Sequence, residues 1–208
     1  GGAAGAGKTG ALLIEPLRHF FNPNFNGTIF RRTTKMIRAQ GGLWDTSKEF
    51  YYPLGAVPRE TTLDWKFPSG MRIQFAHLEY DKNVYDYQGS QLGFCGFDEV
   101  CQFSMVQFFY LLSRVRSTSG VPGYVRATCN PDSKSWVRTF LDWWIHPETG
   151  FPIPERDGVL RYFIRDGDRF IWADSAEELM KLYGTDYIPM SVTFIRGKLD
   201  DNKILMEK

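Results

Sequence analysis

Gly2, Gly7, Lys8 and Thr9 occupy the fixed positions of G-x-x-x-x-G-K-[ST], the spacing of a phosphate-binding loop. Small residues at Gly2, Ala3, Ala4, Gly5, Ala6 and Gly7 let successive backbone N–H groups curl around a polyphosphate. A helix opening near Lys8 turns its positive end toward the same anion. Lys8 then reaches the β- and γ-phosphates and the Thr9 hydroxyl ligates Mg²⁺, so the pattern predicts ATP with Mg²⁺ as ligand. A Gly/Ala-rich turn could carry the same letters by chance, and the partners further along the chain argue against that. Such a loop hangs from a preceding strand, and no residue precedes Gly1. The expectation is a fragment cut on its N-terminal side inside a domain, with that strand missing.

The second group is Leu92-Gly-Phe-Cys-Gly-Phe-Asp98-Glu99, an apolar strand that ends in two acids about 90 residues after the loop. At the carboxyl edge of a nucleotide-binding sheet, Asp98 holds Mg²⁺ and Glu99 polarises a water as general base. Either acid alone would serve as a helix cap; the pair behind a buried strand is the more specific signal. A third strand ends in Thr128-Cys-Asn130-Pro131, which brings a hydroxyl and an amide to the same edge. Asn130 there is placed to sense the γ-phosphate or its attacking water; the alternative is a turn Asn before proline. Charge developing in the transition state calls for a cation. The candidates are Arg31 and Arg32 after the second strand, and Arg114 and Arg116 late in the helix behind the acid pair. Arg31 and Arg114 lead the assignment, and each has a surface ion pair as its alternative. His19, His77 and His146 are scattered without metal spacing.

These residues need a scaffold that alternates strand and helix, an α/β domain with a largely parallel sheet. Residues 8–21 read as the helix behind the loop, kinked at Pro16. Residues 28–31 read as a short strand, and Thr33 or Thr34 as the cap of a helix through the forties. Residues 62–67 and 71–76 flank Pro68-Ser-Gly70 as a hairpin. A buried strand over 93–97, a helix over 104–116 and a strand over 124–128 follow. Met105, Phe108, Phe109, Leu112 and Val115 form the apolar stripe of that helix. A helix over 134–145 carries Trp136, Phe140, Trp143 and Trp144. Beyond the Pro-rich stretch 146–154 come a second hairpin (159–165 and 168–173), a helix over 175–183 opened by Asp174 or Ser175, and a strand over 191–196. The domain reading is a core over 1–149 and a smaller lid or linker subdomain over 150–208.

Charged content of 24% and hydrophobic content of 43% suit a globular protein, and a net charge of +1 excludes a polycation. The first 40 residues differ, with six Lys/Arg against the single acid Glu15, as an anionic ligand favours. A solvated basic face is the other reading of that excess. Cys95, Cys101 and Cys129 make neither a disulfide framework nor a zinc spacing, which fits a reducing cytoplasm. No apolar run of 18 residues predicts a membrane span, and no signal peptide opens the chain.

With these motifs in place, the chain resembles the ATPase domain of the large terminase subunit of tailed bacteriophages, the motor that packages DNA into proheads. The resemblance spans nearly all of the chain. It rests on Gly1–Thr9, Thr28-Ile-Phe-Arg-Arg-Thr33, Phe67-Pro-Ser-Gly70, Tyr87-Gln-Gly89 and Gly96-Phe-Asp-Glu-Val100 with Gln102-Phe103. Tyr110-Leu-Leu-Ser-Arg-Val-Arg116, Arg126-Ala-Thr-Cys-Asn-Pro131, Ser191-Val-Thr-Phe-Ile195 and Leu199-Asp-Asp-Asn202 complete it. It implies an ASCE-type, RecA-like P-loop NTPase with Lys8 and Thr9 in Walker A, Asp98 and Glu99 in Walker B, and Thr128 to Asn130 as the coupling motif. It further implies double-stranded DNA, a portal protein on a prohead and a small terminase subunit as partners. A homo-oligomeric ring at work in the host bacterial cytoplasm, encoded by a phage or prophage, belongs to the same implication. The nuclease half of a terminase is expected only in a missing C-terminal part. Some relatives carry an arginine before the glycine near the Walker B strand where this chain has Gln88, which leaves the finger among the arginines above. A helicase with a second RecA-like domain and a nucleotide-binding scaffold without turnover are the rival readings.

Overall fold

The computed structural model describes residues 7–130 and 132–197, and these ranges are also its two compact units. The first is built on six strands, β1 (Asn26–Arg31), β2 (Val57–Arg59), β3 (Asp64–Lys66), β4 (Arg72–His77), β5 (Phe94–Phe97) and β6 (Tyr124–Ala127). Their order in the sheet is β2-β3-β4-β1-β5-β6. The four strands β4, β1, β5 and β6 are parallel, and β3 and β2 extend the sheet antiparallel. The fold class is therefore α/β with a mostly parallel sheet flanked by helices, as the alternation of elements predicts.

All four residues of β5 are buried, as expected of a strand covered on both faces. Register then sets the site. Phe30 pairs with Phe97 and Phe97 with Ala127, so these positions of β1, β5 and β6 stand level. The next residue of each, Arg31, Asp98 and Thr128, emerges at one edge of the sheet. Gly96 keeps the strands close: a Cβ there would lie 3.0 Å from Ile29 Cγ1.

Helix α1 (Lys8–Ile14) stops where Pro16 approaches, and the chain tightens into a 3-10 turn over Glu15–His19. Pro16 supplies no N–H to an α-helical ladder, so the helix expected over 8–21 is split. The helix expected through the forties is split as well. Thr33 Oγ1 accepts from Met36 N at 3.2 Å and caps α2 (Thr34–Arg38), after which Gly41 at φ 69° turns the chain into α3 (Leu43–Tyr51). α3 anchors α1 through Tyr51 Oη, which donates to Leu13 O at 2.8 Å in a core of Trp44, Trp65, Phe67 and Phe75.

Helix α4 (Met105–Leu112) is opened by a capping box in which Ser104 and Gln107 exchange bonds. It ends four residues short of the expected 116, and its most buried side chains are Gln107, Phe109 and Leu111 rather than the whole apolar stripe. The short edge strand β2 was not legible; Pro58 inside it is tolerated because β2 is the last strand of the sheet.

Residues 132–197 hold α5 (Trp136–Phe140), β7 (Leu160–Asp166), β8 (Arg169–Ala173), α6 (Ala176–Tyr183) and β9 (Met190–Thr193), with the antiparallel order β8-β7-β9. Ser175 caps α6 by accepting from Glu178 N. Phe140 packs on Phe163, Phe170 and Trp172 with ring centroids 5.0–5.2 Å apart. The aromatic face of 136–144 therefore belongs with the second hairpin, and this unit begins well before the Pro-rich stretch that reads as a boundary in sequence. No helix among the described residues is long and apolar enough to cross a membrane.

Candidate active site at the strand ends

Asp98 is 3% exposed, and both of its carboxylate oxygens are taken. Oδ1 accepts from Thr128 Oγ1 at 2.8 Å and from Thr9 Oγ1 at 3.2 Å, and Oδ2 accepts from Arg31 Nη1 at 2.6 Å. A buried carboxylate needs this compensation, and here it comes from three segments the sequence keeps far apart. Glu99 sits beside it in the left-handed region at φ 57°, ψ 62°. That conformation costs a non-glycine residue about 1–3 kcal/mol and is characteristic of functional positions. Glu99 N donates to Thr128 Oγ1 at 2.8 Å, so one hydroxyl holds the backbone of one acid and the side chain of the other. The Glu99 carboxylate pairs with Arg31 Nη2 at 3.2 Å and accepts from Gln102 Nε2.

Lys8 opens α1, and its Nζ donates to Asn130 Oδ1 at 2.6 Å. Gly7 precedes it at φ 69°, a left-handed cap that suits glycine. Lys8, Thr9, Asp98, Glu99, Asn130 and Arg31 thus converge on one edge. Gly2, Ala3, Ala4, Gly5 and Ala6 lie outside the described residues, as does Pro131.

Arg114 is elsewhere. Its backbone carbonyl accepts from Leu92 N at 3.1 Å, beyond the opposite end of β5 from Asp98. Leu92 and Asp98 are six residue steps apart along nearly extended chain, about 20 Å at ~3.3 Å per residue, out of reach of an arginine side chain. Its guanidinium instead stacks 4.9 Å from the Tyr110 ring centroid. Arg32, one residue past Arg31 and so facing the other way, donates to Leu78 O at 3.0 Å and to Gln107 Oε1 at 3.1 Å. It ties β1 to α4 and leaves Arg31 as the arginine on the acids.

Over residues 1–205 the chain matches the family described as terminase large subunit, T4likevirus-type, N-terminal. It belongs to that family. Two solved structures are similar. One is the Thermus phage P74-26 large terminase ATPase domain, at 12% identity over 74% of this chain and 70% of that one, with a TM-score of 0.46. The other is a mutant of the same domain, at 12% identity over 74% and 71%, with a TM-score of 0.48. No curated protein matches the chain.

In this terminase chain Thr9 Oγ1 and Asp98 Oδ1 are hard oxygens 3.2 Å apart. Neighbouring ligands of an octahedral Mg²⁺ with bonds of about 2.1 Å stand about 3.0 Å apart, so the donor pair fits that ion. Among the described residues no group of three or more His, Cys, Asp or Glu could hold a metal. A cation here would therefore draw its remaining ligands from water and a bound phosphate. Gln102 is the participant that sequence reading missed. Its signal was its place three residues after Glu99, one turn along, where a side chain can reach back.

Proposed function

We propose that this terminase chain hydrolyses ATP and that hydrolysis drives double-stranded viral DNA into a prohead. The observation that carries the reading is the convergence of Lys8, Thr9, Arg31, Asp98, Glu99, Thr128 and Asn130 at one edge of a parallel sheet. Family membership supports it independently.

Each side chain has a task that its surroundings suit. Thr9 and Asp98 would hold Mg²⁺, which when bound would neutralise phosphate charge. Lys8 exchanges Asn130 for the β- and γ-phosphates, and the loop over Gly2–Gly7 contributes backbone N–H groups. Glu99 takes the proton of the attacking water, which requires its carboxylate to leave Arg31 and Gln102. Arg31, once released, is a cation beside the reacting phosphate. Asn130, released from Lys8, registers whether the γ-phosphate is present. The unit that ends at Asn130 acts as the ATPase core, and the unit over 132–197 as a lid or linker subdomain. The working assembly is a homo-oligomeric ring with a portal protein and a small terminase subunit, in the cytoplasm of a bacterial host.

The test is ATP hydrolysis and prohead packaging by the wild type and by Lys8→Ala. Hydrolysis and packaging by the wild type, both lost in a folded Lys8→Ala, are expected. Packaging at wild-type level by Lys8→Ala overturns the assignment.

A further inference from the structure

Residues 16–44 hold five Lys/Arg and no Asp or Glu. Three of those cations already have partners. Arg18 pairs with Glu15, Arg31 holds the acid pair, and Arg32 donates to Leu78 O and Gln107 Oε1. Lys35 and Arg38 are the other two, and both lie exposed on α2. Three residues apart, they share one face of that helix. Among the described residues neither takes part in an ion pair.

The fold holds this face from behind. Ile37 is fully buried, and Thr33 Oγ1 caps the helix by accepting from Met36 N. Arg38 Nη2 donates to Glu60 O at 2.6 Å, so a neutral backbone carbonyl anchors the guanidinium and leaves its charge uncompensated. The Glu60 carboxylate joins no ion pair among the described residues, and the neighbouring Arg59 pairs with Asp64. Beside the first turn, Thr34 Oγ1 lies 3.0 Å from Nδ1 of the exposed His77, which extends the polar surface. Two uncompensated cations on an exposed helix attract a polyanion. No aromatic residue occurs between Phe30 and Trp44, and both of those are buried. A single-stranded nucleic acid calls for aromatic stacking platforms, and a protein partner for apolar anchors. Charge without either suits the backbone of a duplex, which is held through its phosphates and not its sequence.

We propose that the exposed face of α2 contacts the phosphates of double-stranded DNA through Lys35 and Arg38. The identity of the duplex as DNA rests on the packaging reading above. Gly41 and Gly42 follow α2 directly and add no side chain that would hold a nucleic-acid backbone away. Lys35 lies four residues beyond Arg31, so the contact stands close in the chain to the strand end that carries the arginine of the acid pair. Because the contact is to phosphates, it binds all sequences alike and weakens steeply with salt.

The test measures binding of a labelled DNA duplex of arbitrary sequence to the complete protein by fluorescence anisotropy across a salt series, without nucleotide or divalent cation. Wild type is compared with the double variant Lys35→Gln, Arg38→Gln, with Arg38→Lys and with Lys181→Gln. Loss of two phosphate contacts is expected to make the slope of log K against log salt shallower by about 1.8 in the double variant. Arg38→Lys keeps the charge, and Lys181→Gln removes an exposed cation from the other unit, so both are expected to keep the wild-type slope. ATP hydrolysis in the absence of DNA is expected to be the same in all four proteins. The proposal is overturned if the double variant keeps the wild-type slope, if Lys181→Gln lowers the slope by as much per charge removed, or if wild type binds no duplex. Absence of hydrolysis in the wild type would instead sink the ATPase reading, and the salt slopes would still decide the contact.

Discussion

Thr128→Val removes one hydroxyl and keeps the shape of the side chain, so it isolates the group that holds both acids. Thr128 is 8% exposed, accepts from Glu99 N at 2.8 Å and donates to Asp98 Oδ1 at 2.8 Å. The substitution leaves a backbone N–H without its partner, about 1–3 kcal/mol, and deletes a bond to a charged carboxylate, about 1.5–3 kcal/mol. The sum is about 2.5–6 kcal/mol, or on the order of 10 °C in midpoint for a chain of this size. Catalysis should suffer more than stability. Glu99 sits in a left-handed conformation held in part by that bond, and a displacement of about 1 Å at a reacting group lowers turnover by about a hundredfold. Thermal unfolding and steady-state ATP hydrolysis of wild type, Thr128→Val and Thr128→Ser measure both effects. Thr128→Ser keeps the hydroxyl and should resemble wild type in both. A Thr128→Val protein within about 1 kcal/mol of wild type, with unchanged turnover, would refute the reasoning.

Two further substitutions separate scaffold from site. Gln107→Leu removes a fully buried amide that accepts from Arg32 and Ser104 N and donates to Leu78 O. It should lower stability by about 1–3 kcal/mol in urea unfolding while nucleotide affinity stays at the wild-type value. Arg114→Ala removes a guanidinium stacked on Tyr110, a contact of about 0.5–1 kcal/mol. Nucleotide affinity measured by titration should be unchanged, and a loss of about tenfold would place Arg114 in the site after all.

The strongest sequence signals were those in which residue type and place in the chain agree. Gly7, Lys8 and Thr9 fall at the start of a helix, Asp98 and Glu99 at the end of a buried strand, and Asn130 behind a second strand, and the fold brings all of them to one edge. Arg31 and Arg32 were equal candidates because sequence gives their order and not their side of the strand; alternation separates them only once the register is known. Arg114 lies away from the acids of its own chain for a reason that topology contains. A crossover between parallel strands must return the chain to the strand's starting end, so residues late in α4 lie far from Asp98. Gln107 was invisible because a buried amide reads as a surface residue until its partners are known. Pro16 marked a break in its helix, whereas the break at Gly41 depends on a backbone conformation that no periodicity reports.

The most direct measurement is nucleotide binding and hydrolysis by Glu99→Gln beside wild type in the complete protein. The amide keeps the size of the side chain and its place next to Asp98 but takes up no proton from water. Mg²⁺–ATP bound as tightly as by wild type, with turnover lower by about a hundredfold or more, is the predicted result. Near-normal hydrolysis by Glu99→Gln would remove Glu99 from the chemistry and contradict the account.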